Sequence, residues 1–111
     1  MKVSKEILCR EISSKEVEEF TSQNPYLETW LRKKSQVTKK SYTRNLIRYL
    51  QTLKSNNIIR SMNVSELFEL AERAENEQIE TLEEFQTSVD ESFPQNEMNS
   101  LVFSLSITVK S

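Results

Sequence analysis

The side chains with the most chemistry to offer in this 111-residue sequence are cations, and their spacing suits one task. Nine basic residues stand between Leu31 and Arg60 (Arg32, Lys33, Lys34, Lys39, Lys40, Arg44, Arg48, Lys54 and Arg60) with no acidic one among them. Lys40, Arg44 and Arg48 recur at four-residue intervals, which places them on one face of a helix. Ammonium and guanidinium groups in such a row suit phosphate oxygens, the first as a point charge and the second as a planar fork. Lys40 to Arg48 would span ~12 Å at ~1.5 Å per residue, comparable with the ~12 Å major groove of duplex DNA. Lys39 adds a further charge, and Thr38 and Thr43 could act as neutral donors to the same oxygens. The expected partner is therefore anionic and lies along this face.

Other chemistries lack their residues. The chain has no glycine, so no Gly-rich loop can cradle a nucleotide phosphate. It has no histidine and one cysteine, Cys9, which leaves a zinc site without its usual ligands and any nucleophile without a histidine base. Carboxylates are plentiful but sit at helical-surface spacing, with no apolar pocket to shift their pKa. No enzyme activity, cofactor, metal or small-molecule substrate is expected. A single cysteine forms no intramolecular disulfide, which agrees with a reducing compartment. The opening residues have no apolar core of signal-peptide length, and no run approaches the ~20 apolar residues of a membrane span. A cytoplasmic location and no membrane partner are expected.

The formal net charge of −2 conceals strong segregation. Residues 1–30 carry four basic and six acidic side chains, and residues 61–100 set Arg73 against eleven acids. Between them lies the acid-free run. A polyanion responds to local potential within a Debye length of ~8 Å, so the overall balance does not argue against one.

The elements that must hold these cations follow from periodicity. Tyr42, Leu46, Tyr49, Leu50 and Leu53 trace one face of a helix, which Thr38 is expected to cap at its N-terminus. Asn24 as N-cap and Pro25 at the first helical position start a preceding helix with Tyr26, Leu27, Trp30 and Leu31 on its buried side, and Ser35-Gln36-Val37 joins the two tightly. Upstream, Ser13 with Glu16 could form a capping box for a short helix bearing Val17 and Phe20. Residues 1–22 are otherwise read as a loosely held extension. Without glycine, turns of positive φ fall to Asn56-Asn57 and Asn63. Ser65 is expected to cap a third helix running to Ala74. A fourth spans about Asn76 to Ser92, with Leu82, Phe85 and Val89 buried. Leu101–Ser111 fits either a strand or a helix and is taken as a helix, since no other segment alternates to pair with it. This last element reaches the final residue without a stop signal, as in a chain cut short. The expected fold is an all-α bundle of four to five helices, its core including Trp30, Tyr42, Leu46, Leu50, Leu53, Phe68, Leu82, Phe85 and Val89.

The pattern Ser35-x-x-Thr38-x-x-x-Tyr42-x-x-x-Leu46-x-x-Tyr49-Leu50-x-x-Leu53 resembles the core-binding (SAM-like, N-terminal) domain of tyrosine recombinases, the phage-integrase family, and especially its archaeal-type integrases. Pro25 to Leu31, Val64 to Ala71 and Leu105 to Ser111 carry the same likeness, which covers about residues 24–111. The resemblance implies an orthogonal bundle over residues 23–111 that forms one half of a clamp around duplex DNA. It implies no catalysis here, because in that family the chemistry belongs to a separate C-terminal domain absent from this chain. Tyr42 and Tyr49 match core positions of the clamp and not the nucleophile. The expected DNA-binding residues are Thr38, Lys39, Lys40, Thr43, Arg44, Arg48 and Lys110, in support of DNA integration or site-specific recombination. Phe103 and Ile107 would form an apolar patch for a second copy or a recombinase catalytic domain. The alternative reading is a helical protein-interaction module, an adaptor or antagonist of a recombinase, docking through that patch.

Overall fold

The computed structural model describes residues 2–32 and 34–88. The expectations for Val89, Phe103, Ile107, Lys110 and the helix at 101–111 lie outside these residues, as do the side chains of Tyr26, Trp30 and Phe68. Every regular element among the described residues is an α-helix: α1 (Lys5–Leu8), α2 (Ser14–Gln23), α3 (Tyr26–Leu31), α4 (Gln36–Ser55) and α5 (Ser65–Ser88). α5 is two helices joined at a kink, where Ala74 leaves the helical region at φ −153° and ψ 71°. The break falls where the sequence shifts phase between its expected third and fourth helices.

α4 is the central element, in contact with α1, α2 and α5. Leu46, Tyr49, Leu50 and Leu53 are buried as the periodicity requires, with Ile47 added, and Tyr42 packs partly buried at the core's edge. Thr43 and Thr52 widen the buried band. Each threonine hydroxyl donates to the carbonyl one turn back, Lys39 O at 2.7 Å and Arg48 O at 3.0 Å. With its polar atom satisfied inside the helix, a threonine presents a methyl surface to its neighbours. The core is completed by Leu27, Leu31, Ile59, Val64, Leu67, Leu82 and Phe85.

Both ends of α4 are set by local chemistry. Ser35, and not Thr38, is the N-cap: its extended backbone lets Oγ accept from the Thr38 amide at 3.3 Å and donate to Thr38 Oγ1 at 2.9 Å. Thr38 therefore sits in the first turn, not before it. At the C-terminus Asn57 adopts φ 59°, the left-handed turn that asparagine tolerates in place of glycine. The Asn57 amide reaches Lys54 O (3.0 Å) and the Ile58 amide reaches Leu53 O (3.0 Å), a Schellman closure with Ile58 packed on the core.

Two further caps differ from expectation. Asn24 spends its side chain between elements instead of on α3: Nδ2 donates to Phe20 O (2.8 Å) and Oδ1 accepts from the buried Val64 amide (2.9 Å). At α5 it is Asn63, and not Ser65, whose side chain takes an orphan amide, that of Ser65 at 2.9 Å.

The N-terminal residues are not a loose extension. Ile12, Val17 and Phe20 belong to the core, and Ser13 caps α2 by accepting from the Glu16 amide at 3.2 Å. The chain from Lys2 to Ile12 runs antiparallel to α4. The Asn56 side chain joins both backbone groups of Lys2 (2.9 and 2.7 Å), Arg48 reaches Arg10 O, and Arg44 reaches Ile12 O. These contacts join residues far apart in sequence, so helical periodicity gives no sign of them.

Candidate nucleic-acid interface

The cations of α4 divide into two groups. Arg44 and Arg48 are half-buried beneath the N-terminal chain and already donate to carbonyls. Arg44 Nε lies 3.0 Å from Ile12 O. Arg48 places Nε and Nη2 at 3.4 and 3.0 Å from Arg10 O, and Nη1 at 3.1 Å from Asn45 Oδ1. Both act as cross-braces between α4 and the segment that lies over it.

Lys39 and Lys40 form the second group, one turn from the N-terminus of α4. With Arg32, at the end of α3, they line a cleft of about 640 Å³ between α2, α3 and α4. Val17, Leu31 and Thr43 contribute to its walls, and Glu18 and Glu28 stand on the same rim. Among the described residues Arg32, Lys39 and Lys40 make no side-chain hydrogen bond or ion pair, so their charges are available to a ligand. Lys34 is different: its ammonium lies 5.7 Å from the centre of the Tyr42 ring, in cation–π contact. Lys54 and Arg60 are exposed at the opposite end of α4.

Of the residues expected to touch DNA, Lys39 and Lys40 thus stay half-exposed on one corner without a side-chain partner among the described residues. Thr38 is adjacent, its hydroxyl engaged with Ser35. Thr43 is 1% exposed with its hydroxyl donated to Lys39 O, so it has no donor to offer a phosphate. Sequence reasoning did not place Arg32 in the site. The usable signal was its membership of the same acid-free run, a few residues before the start of α4.

Tyr49 belongs to the core and not to this surface. Its hydroxyl is 3.0 Å from Thr81 Oγ1 and its ring centre 5.3 Å from that of Phe85. Burial pushes its phenol up to about 12, with the Thr81 hydrogen bond opposing the shift only in part. Among the described residues, no group of three or more His, Cys, Asp or Glu side chains is placed to hold a metal ion. Nor is any helix among them long and apolar enough to cross a membrane. A scan against protein-family models, a search of curated proteins and a search of solved structures each return no match for this chain.

Proposed function

We propose that this chain is a non-catalytic DNA-binding module that holds duplex DNA by its phosphates, in the manner of the tyrosine-recombinase core-binding domain it resembles. The observation that carries the reading is the corner formed by Arg32, Lys39 and Lys40, three unengaged cations from a stretch with no acidic residue. Phosphate contacts fix position and supply affinity but carry no sequence information. Binding should therefore be weak, with Kd on the order of 10⁻⁴–10⁻⁶ M, and nearly blind to sequence. Glu18 on α2 and Glu28 on α3 stand on the same rim and keep affinity low by repelling phosphate. Within that reading the module supports integration or site-specific recombination as one half of a DNA clamp, the chemistry residing elsewhere. Fluorescence anisotropy with two unrelated labelled duplexes at low salt tests it. Comparable, weak saturation by both is expected. No binding to either duplex would favour a protein-interaction module instead.

A further inference from the structure

We propose that residues 2–10 form a releasable cover over Arg48, holding one phosphate contact in reserve. The proposal rests on the DNA-binding reading above and adds its regulation. Arg48 directs Nε and Nη2 at a single neutral acceptor, Arg10 O, at 3.4 and 3.0 Å. A phosphate offers the same fork two anionic oxygens, a stronger and bidentate match. Arg48 is therefore a phosphate ligand once the cover has been removed, and is withheld while the cover is in place.

The cover is held thinly. α1 is four residues long and buries none of them. Val3 and Leu8 are only partly buried against the core, and the Lys2–Asn56 pair is solvent-exposed. Its inner end is latched by Arg10 and Glu16, whose ion pair at 2.7 Å joins side chains 38% and 33% exposed. A pair half-open to solvent in this way is partly screened by salt and gives a modest hold. Beyond the latch the chain is anchored, since Ile12, Val17 and Phe20 are buried. Opening thus stops short of Ile12. Arg48 is freed while Arg44, bonded to Ile12 O, stays covered. Segments with few buried contacts and exposed hydrogen bonds open at the low end of a protein's free-energy range.

The test compares the salt dependence of duplex binding for the full chain and a chain lacking residues 2–10, each with and without Arg48→Ala. In the full chain Arg48→Ala should leave the log–log slope nearly unchanged. Without the cover the slope should steepen by ~0.9, the value of one phosphate contact, and Arg48→Ala should abolish that gain. An equal effect of Arg48→Ala in both chains overturns the proposal. A full chain that binds, with no gain on deletion, overturns the cover and leaves the DNA-binding reading standing. If neither chain binds, both fall together. Should the shortened chain not fold, hydrogen exchange on the full chain decides. The Leu8 and Cys9 amides, bonded to Ser4 O and Lys5 O, should exchange ahead of the α4 amides, and Arg48→Ala, which removes the bond to Arg10 O, should speed them further while α4 stays protected. Exchange at those amides that matches α4, or that Arg48→Ala leaves unmoved, overturns the proposal.

Discussion

Tyr49 joins the two long helices through one hydroxyl and one ring. It donates to or accepts from Thr81 on α5 and packs on Phe85 one turn further along. Its phenol is raised from 10.0 to about 12 by burial, so folding favours the protonated form. This contribution to stability is complete below pH 10, the unfolded value, and is lost as pH rises through about 12. Tyr49 should ionise only as pH rises through about 12, together with loss of helical circular dichroism. Tyr49→Phe should cost about 1 kcal/mol at neutral pH, the net worth of a hydrogen bond, and blunt the alkaline transition. Urea melts at the two pH values check both. Thr43 gives the opposite kind of residue test. With its hydroxyl turned back onto Lys39 O, Thr43→Val should cost no more than about 1 kcal/mol of stability and leave duplex affinity at fixed salt unchanged. A weakened affinity in a fully folded variant would mean that Thr43 reaches phosphate after all.

The elements are coupled by polar atoms as much as by apolar faces. Asn24 ends α2 and holds the chain entering α5 through the buried Val64 amide. Asn24→Ala leaves that amide without its partner and should cost roughly 1–3 kcal/mol in a urea melt. A neutral result would show that water or a backbone shift replaces it. The kink in α5 makes its own prediction. Glycine within a helix costs about 1 kcal/mol relative to alanine. Ala74 is not helical, so Ala74→Gly should cost little, whereas Glu72→Gly, on the exposed side of the same element, should cost most of that ~1 kcal/mol. Equal losses at both positions would argue for a continuous helix. These elements differ in how far residue order reveals them. The α4 stripe and the Ala74 break are local patterns of period 3.6, and Asn57 is the substitute a chain without glycine must use. Asn24, Arg44 and Arg48 looked like a cap and two surface cations because their partners lie 32 to 40 residues away in sequence. Ser35 was overlooked as the cap because Thr38 offers the same hydroxyl one turn later.

For the whole molecule, charge segregation and topology act against each other. The acid-free run supplies the cations, yet the N-terminal segment folds back along α4 and engages two of them with its carbonyls. Those left unengaged at the α3–α4 corner are Arg32, Lys39 and Lys40, and the account of DNA binding depends on them. The most direct test is the salt dependence of duplex affinity for the parent and a Lys39→Ala/Lys40→Ala variant. Three phosphate contacts at ~0.9 each predict a log–log slope of about −2.7 for the parent and about −0.9 for the variant, with every duplex weakened alike. A parent slope that the double substitution leaves unaltered, or no duplex binding at low salt, would contradict the account.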